Sequence, residues 1–184
     1  MTRIAIISDT HVPTRESGIP EWVVAEIERA DHTIHAGDFE SIGAYEGMVD
    51  LTNGELTAVL GNVDPATLDV PRTAILEVDG VMFVVTHGDG SSGSWRERVL
   101  ETVRAEAGAA TDTTLVAVAG HTHQVVDTTV TFNEPHRDDR DGRLAGSVRL
   151  LNPGSATGAA PTTFETMFVA TIDDGTLSVE QRTG

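Results

Sequence analysis

The sequence predicts an α/β fold of two packed mixed β-sheets flanked by helices, a four-layer α/β/β/α sandwich that forms a single domain over residues 1–184. Three observations predict this class: short apolar runs of strand length, helical patterns between the early runs, and two Asp-Gly turn signals in the second half. A chain of 184 residues has the size of one compact domain, which buries roughly 70% of its unfolded surface.

The apolar runs predict five buried strands, because each has strand length and is rich in β-branched residues. They cover Arg3–Ser8, Thr33–Ala36, Leu56–Leu60, Val81–Thr86 and Thr114–Ala119. Several of them end in a cluster of Gly, Asp, Asn or His. Helices are predicted between them for Pro20–Ala30, Ser41–Leu51 and Ser94–Ala107. In the first helix the apolar Trp22, Val23 and Ile27 oppose a glutamate-bearing face.

In the second half of the chain, predicted strands and helices no longer alternate. Asp79-Gly80 and Asp174-Gly175 are hairpin signals, so antiparallel strands are expected on either side of each. The polar stretch 133–146 is predicted to be a solvated loop or the tip of a longer hairpin.

The formal charge of −17 arises from 29 acidic residues against 12 basic ones, all of them arginine. Such a field repels nucleic-acid backbones and anionic membranes, which argues against general nucleic-acid binding or a membrane-surface role. The absence of lysine favours a halophilic protein over an ordinary acidic enzyme. No run of 18 apolar residues is present and the N-terminus enters a strand directly, so a cytoplasmic protein without a membrane anchor is expected.

Five polar clusters stand where predicted strands end. They are Ser8-Asp9-Thr10-His11, Gly37-Asp38, Gly61-Asn62-Val63-Asp64, Thr86-His87-Gly88 and Gly120-His121-Thr122-His123. Loops at the carboxyl ends of strands in an α/β sheet form the crevice in which ligands bind. Residues two apart in an extended segment project from the same side, so Asp9 with His11, and His121 with His123, are each expected to point to one place. The neighbouring glycines are expected to let the backbone turn sharply.

These clusters predict a metal centre built from nitrogen and oxygen ligands, because the chain has no cysteine. Four imidazoles, two carboxylates and an amide suit Mn²⁺ first, with Ni²⁺, Zn²⁺ or Fe as alternatives. The predicted ligands are Asp9, His11, Asp38, Asn62, His87, His121 and His123. Seven ligands exceed what one ion takes. They suit two divalent ions about 3.5 to 4 Å apart that share a carboxylate, an arrangement for displacement at phosphorus.

In this order, the motifs Asp-x-His, Gly-Asp, Gly-Asn-x-Asp, Thr-His-Gly and Gly-His-Thr-His resemble those of the calcineurin-like metallophosphoesterase superfamily. The short chain and the segment Asn152-Pro153-Gly154-Ser155 are similar to its small YfcE-like phosphodiesterase branch. The resemblance implies that Asp9, His11 and His123 bind one ion and that Asn62, His87 and His121 bind the other, with Asp38 bridging. It also implies that hydroxide between the ions attacks a small soluble phosphate ester, a diester rather than a monoester.

Two positions depart from the family pattern. Val63 stands where many members have a histidine near the leaving group, so the general acid is unassigned. Asp89 stands where the branch often has a second histidine, and its effect is open: it removes a phosphate-contacting cation or tightens metal binding. The arginine usual shortly after Asn152–Ser155 is also missing, since ATGAAPTT follows.

The remaining polar residues are expected to have structural or solvent-facing roles rather than catalytic ones. His32 and His35 are expected to be structural histidines, His35 also orienting the site. Asp64 is expected to hydrogen-bond backbone or a ligand histidine, Asn152–Ser155 to shape a loop, and His136 to be solvated.

A catalytically silent protein-binding scaffold, like the retromer subunit of the same fold, is the alternative function. The intact set of seven ligands favours the enzyme, and the negative charge disfavours a nuclease. The sequence does not fix the oligomeric state, and a homo-oligomer is one option.

Overall fold

Ten strands and three α-helices make up the regular structure of the computed structural model, which describes residues 1–107, 113–132 and 146–184. In chain order they are β1 (Thr2–Ile7), α1 (Glu21–Glu28), β2 (His32–His35), α2 (Ile42–Leu51), β3 (Leu56–Ala58), β4 (Thr73–Val78), β5 (Val81–Thr86), α3 (Trp95–Ala107), β6 (Thr114–Val118), β7 (Val125–Phe132), β8 (Gly146–Pro153), β9 (Thr166–Asp173) and β10 (Thr176–Thr183). A 3₁₀ turn, Ser92–Ser94, precedes α3.

The strands form two mixed five-stranded sheets. The first has the order β10-β9-β1-β2-β3 and the second the order β4-β5-β6-β8-β7. Within the first sheet β1, β2 and β3 are parallel, and within the second β5, β6 and β8 are parallel. The carboxyl ends of parallel strands meet at one edge of a sheet, so the loops that follow these six strands are brought together.

Three apolar clusters separate the layers. Between the two sheets lie β-branched and aromatic side chains that include Ile6, Phe83 and Phe168, each at most 2% exposed. Helices α1 and α2 cover the outer face of the first sheet through Val23, Ile27 and Met48, among others. Helix α3 covers the outer face of the second sheet. The predicted four-layer α/β/β/α architecture is therefore confirmed.

The predicted elements agree with the structure apart from their ends. Helix α1 begins after Pro20, which provides no side-chain cap, and α2 begins after Ser41, whose hydroxyl accepts a hydrogen bond from Ala44 N at 3.0 Å. Both Asp-Gly hairpins are confirmed, as the β4–β5 and β9–β10 pairs.

Strands β7 and β8 were not predicted. The sequence of β7, VVDTTVTF, mixes polar and apolar residues, and β8 ends in Asn152 and Pro153, which read as turn residues. The polar stretch 133–146 and His136 lie outside the described residues, except for Gly146. No helix in the described ranges is long and apolar enough to cross a membrane.

Candidate metal centre

The seven predicted ligands come together at the carboxyl ends of the parallel strands. Asp9 and His11 follow β1, Asp38 follows β2, Asn62 follows β3, His87 follows β5, and His121 and His123 follow β6. Both sheets therefore contribute to one cluster. The backbone N of His121, in the loop after β6 of the second sheet, donates to Asp9 Oδ2, in the loop after β1 of the first, at 3.1 Å.

Asp9, His11 and His123 form the buried part of the cluster. Their ligand atoms all lie within 4.8 Å of one another, with His123 Nε2 3.3 Å from Asp9 Oδ1 and 3.1 Å from His11 Nε2. None of the three residues is more than 7% exposed. This trio has the size and composition of one ion site.

Asn62, His87 and His121 form the second part. Asn62 Oδ1 lies 3.0 Å from His87 Nε2 and 2.9 Å from His121 Nδ1. Asn62 is exposed and His121 is half-buried, whereas His87 is buried. The second part therefore opens to solvent, which is where a substrate can enter.

Two carboxylates lie between these parts. Asp38 Oδ2 is 3.6 Å from His11 Nε2 on one side and 3.3 Å from His87 Nε2 on the other. Asp9 also reaches both parts, since an oxygen of Asp9 lies within 4.8 Å of the ligand atoms of His11 and His123, and likewise of those of Asp38 and His87. Either carboxylate is therefore placed to be shared between the two parts.

Each site histidine has its outward nitrogen fixed by a hydrogen bond. The Nδ1 atoms of His87 and His123 donate to Ala36 O and Ala159 O, at 2.7 and 2.8 Å. His121 instead uses Nε2, which donates to Gly90 O at 2.8 Å. When such a ring is neutral, its other nitrogen, which faces the cluster, carries a lone pair and no proton.

The inward atoms therefore form a surplus of acceptors. The Nε2 atoms of His11 and His123 face each other at 3.1 Å, and the outward nitrogen of each is already a donor elsewhere. Asn62 Oδ1 similarly faces two imidazole nitrogens, at the exposed end of the cluster. Acceptors that oppose one another need a proton or a metal cation between them. A nitrogen and oxygen set of this kind fits divalent transition metals.

The electrostatics of the cluster favour cations. Burial raises the pKa of Asp38, but the hydrogen bond and charge of His87 lower it more, so the carboxyl is ionised. Burial lowers the pKa of His87, but Asp38 and Asp9 together raise it to about 9. The metal-free cluster thus holds protons on histidine at neutral pH, and metal ions must displace them.

The ligands do not sit in extended segments as expected. Asp9, His11, Asp38, His121 and His123 all have positive φ, between 50° and 72°. This left-handed backbone, rare for residues with a side chain, costs of order 1–3 kcal/mol at each position and is characteristic of functional sites. The expectation that residues two apart project together from extended chain was therefore wrong, although each pair does converge.

Two of the site glycines are required for space rather than for an unusual backbone. A Cβ on Gly61 would lie 2.0 Å from Asp38 Oδ1, and a Cβ on Gly120 would lie 1.9 Å from Ser8 Oγ and 2.6 Å from Asp9 Oδ2. Neither glycine has positive φ. They allow the loops to approach the two central carboxylates closely.

Asp64 and Ser155 tie the site loops together. For Asp64 this agrees with the prediction, whereas the segment predicted to shape a loop, Asn152–Ser155, lies half in β8, with only Gly154 and Ser155 after the strand. Asp64 accepts hydrogen bonds from the backbone N atoms of Asp38, Glu40 and Gly61, at 3.0, 2.8 and 2.7 Å. Ser155 Oγ donates to Asp9 O at 2.7 Å. Both residues therefore act on the backbone beside a carboxylate of the cluster.

His32 and His35 are structural, as predicted. His32 Nε2 hydrogen-bonds Thr57 Oγ1 at 2.8 Å. His35 is fully buried, stacks on Phe39 and hydrogen-bonds Thr10 Oγ1 at 3.1 Å. Burial lowers the pKa of His35 to about 3, so the ring is neutral at physiological pH.

Glu40 is a residue of the site that the sequence interpretation missed. Its Oε1 lies 2.9 Å from His11 Nδ1, which donates to it. Burial raises the pKa of Glu40, but hydrogen bonds with Thr14 and His11 lower it more, so the side chain is a carboxylate. Its position two residues after Asp38 is the one signal that could have identified it.

The two departures from the family pattern have different surroundings. Val63 is half-buried, and its backbone N donates to Asp38 Oδ1 at 3.1 Å. Asp89 is exposed and its Oδ2 lies 3.8 Å from Arg72 Nη1.

Comparisons with known proteins give a consistent result. The model of the calcineurin-like phosphoesterase superfamily domain matches residues 2–175. A probable metallophosphoesterase of Methanocaldococcus jannaschii is 34% identical over 155 residues, which cover 84% of this chain and 68% of that protein. One of Methanothermobacter thermautotrophicus is 31% identical over 155 residues, covering 84% of this chain and 77% of that protein.

Solved structures share the fold. A Thermotoga maritima protein has a TM-score of 0.66 at 27% identity, covering 100% of this chain and 99% of its own. Vps29 of Chaetomium thermophilum has a TM-score of 0.70 at 16% identity, covering 100% of this chain and 97% of its own. At the latter identity the likeness shows the fold alone.

Proposed function

The chain belongs to the calcineurin-like phosphoesterase superfamily, and we propose that it is a two-metal phosphodiesterase that hydrolyses a small soluble phosphate ester. The observation that carries this proposal is the surplus of inward-facing acceptors at one solvent-accessible cluster, described above. Such a cluster is built to hold cations next to a substrate.

In this proposal each ligand has the role implied by its neighbours. Asp9, His11 and His123 would hold the buried ion, Asn62, His87 and His121 would hold the one that faces solvent, and Asp38 would contribute to both. Two divalent ions in such a site activate water and neutralise phosphoryl oxygens. The protein's own contribution is orientation: the backbone carbonyls of Ala36, Ala159 and Gly90 fix three of the four imidazole rings.

The metal is proposed to be Mn²⁺ first, with Ni²⁺, Zn²⁺ or Fe as alternatives, since carboxylate, amide and imidazole ligands suit this group. No thiolate is available to select a softer ion, because the chain has no cysteine.

The preference for a diester follows from charge. A monoester carries one more negative charge than a diester near neutral pH, and the chain has a formal charge of −17. Two unit charges 4 Å apart repel by about 1 to 4 kcal/mol between water and a protein surface. With Val63 beside Asp38, no imidazole is supplied at that position to protonate a poor leaving group.

We expect the metal-loaded protein to hydrolyse bis-p-nitrophenyl phosphate with a kcat/KM at least about tenfold above that for p-nitrophenyl phosphate, which corresponds to about 1.4 kcal/mol. Both substrates release the same phenolate, so the comparison isolates the charge and the second ester group. The measurement is made after chelation and reloading with Mn²⁺. A preference for the monoester would contradict the diesterase assignment, and no hydrolysis of either would favour the scaffold.

Salt dependence follows from the same charge. We expect the melting temperature to rise by roughly 5 °C or more between 10 mM and 1 M KCl, because the Debye length falls from about 30 Å to about 3 Å and the acidic surface is screened. Sorbitol at matched osmolality is the control, since it is excluded from protein surfaces without screening charge. Equal melting temperatures at both salt concentrations would rule out the halophilic character.

A further inference from the structure

Glu40 gives His11 a partner that the other site histidines lack. His11 Nδ1 donates to the carboxylate Oε1 of Glu40 at 2.9 Å. The corresponding partners of His87, His121 and His123 are backbone carbonyl oxygens. A carboxylate carries a full charge and makes the stronger hydrogen bond. His11 is therefore distinguished from the other three by the charge behind its ring.

The structure holds Glu40 in place at a cost. Its backbone has a φ of 77°, a left-handed conformation that is uncommon for glutamate. Its side chain is only 8% exposed. A strained backbone and a buried carboxylate both lower stability. Strained residues of this kind cluster at functional sites.

Arg15 pairs with the same oxygen of this carboxylate that accepts from His11. Its Nε lies 3.4 Å from Glu40 Oε1, and its Nη1 donates to Ala160 O at 3.0 Å. The preceding residue, Ala159, supplies the carbonyl that accepts from His123 Nδ1. One arginine therefore links the group behind His11 to the loop behind His123, the two imidazoles of the buried trio.

We propose that Glu40, braced by Arg15, is a positioning residue that fixes His11 with Nε2 facing the cluster and strengthens that nitrogen as a donor to a metal ion. A carboxylate on the outward N–H of an imidazole raises the basicity of the other nitrogen and orients the ring. The proposal rests on the proposed function in one respect: an ion must bind between Asp9, His11 and His123.

The test compares Glu40→Gln and Glu40→Ala with Glu46→Gln. Glutamine keeps an oxygen that can accept from His11 Nδ1 and removes the charge, whereas alanine removes both. Glu46 is exposed on α2, so its substitution makes the same change in net charge away from the cluster. Calorimetric titration of each metal-free protein with Mn²⁺, without substrate, gives the affinities. Thermal unfolding is measured with and without Mn²⁺.

We expect Mn²⁺ affinity at the tighter site to fall about tenfold in Glu40→Gln and between about 10- and 100-fold in Glu40→Ala. Glu46→Gln should match the wild type. The melting temperature of metal-free Glu40→Gln should stay close to that of the wild type, because the glutamine oxygen still accepts from His11 Nδ1. That of metal-free Glu40→Ala should fall, because the buried His11 Nδ1 loses its acceptor. In both variants the increment from Mn²⁺ should shrink.

An affinity of Glu40→Gln within twofold of the wild type would overturn the proposal, as would a metal-free melting temperature that falls by as much as the loaded one. Failure of the phosphodiesterase assignment is seen separately. If the wild type takes up Mn²⁺ but hydrolyses no ester, that assignment fails while the role of Glu40 is still decided by the titration. If the wild type takes up no Mn²⁺, both fail.

Discussion

Asp38→Ala is expected to lower the hydrolysis of bis-p-nitrophenyl phosphate by at least about 10³-fold, which corresponds to about 4 kcal/mol of transition-state stabilisation. Asp38 Oδ2 is the oxygen that lies within 3.6 Å of histidines from both parts of the cluster. The substitution removes the carboxylate that lies near the histidines of both parts, so a metal ion in either part would lose a negatively charged ligand. Divalent ions contribute several kcal/mol through the charge they neutralise, so losing both removes most of the catalysis.

Elemental analysis of the same protein should show about two ions per chain in the wild type and fewer than one in Asp38→Ala. Asp69→Ala is the control, because Asp69 is an exposed aspartate beyond the helix and strand elements. Excess chelator should bring the wild type to the level of the variant. Two retained ions and activity within tenfold of the wild type would show that Asp38 is not the bridging ligand.

Much of the fold could be predicted because local signals and tertiary structure agree. The buried parallel strands β1, β5 and β6 are continuous apolar runs, and burial on both faces demands such runs. Asp79-Gly80 and Asp174-Gly175 adopt the positive φ values that tight hairpins need.

The pairing of distant segments could not be predicted in the same way. Strand β9 inserts beside β1 through backbone hydrogen bonds that any residues could make, although the paired residues lie between 162 (Ile6 with Phe168) and 170 (Thr2 with Ile172) positions apart in sequence. Strand β7 is an edge strand with one face exposed. Polar residues interrupt the apolar positions of its other face, so the period of two residues is hard to recognise in the sequence.

The composition of the site could be predicted, and its local geometry could not. Each ligand stands at the end of a strand, so convergence follows from the parallel topology. The left-handed backbone at Asp9, His11 and His123 depends on contacts made by other loops, such as Ser155 to Asp9 O. Glu40 escaped notice because a glutamate two residues after a ligand has many ordinary explanations. Its role is visible only once its distance to His11 is known.

The close approach of the loops to Asp38 leads to the last prediction, that Gly61→Ala disables the site while keeping every ligand. The added Cβ would lie 2.0 Å from Asp38 Oδ1 and 2.3 Å from Asp38 N, distances that atoms do not adopt. The backbone atom cannot rotate away, so the loop after β2 or the loop after β3 must shift. Both loops are held by Asp64, which accepts from Asp38 N and Gly61 N.

We therefore expect Gly61→Ala to destabilise the metal-free protein by about 1–3 kcal/mol, as overpacking does, and to lower kcat/KM by about 10²-fold, since a shift of about 1 Å in a catalytic group has that effect. Chemical denaturation and diester hydrolysis measure the two. The matched control is Gly47→Ala, where an added Cβ meets nothing within 4 Å. Gly47 lies inside α2, so alanine there should stabilise by about 0.5–1 kcal/mol with unchanged activity. If Gly61→Ala were as stable and as active as Gly47→Ala, the loops would have to be looser than their contacts indicate, and the rigid positioning of Asp38 would be wrong.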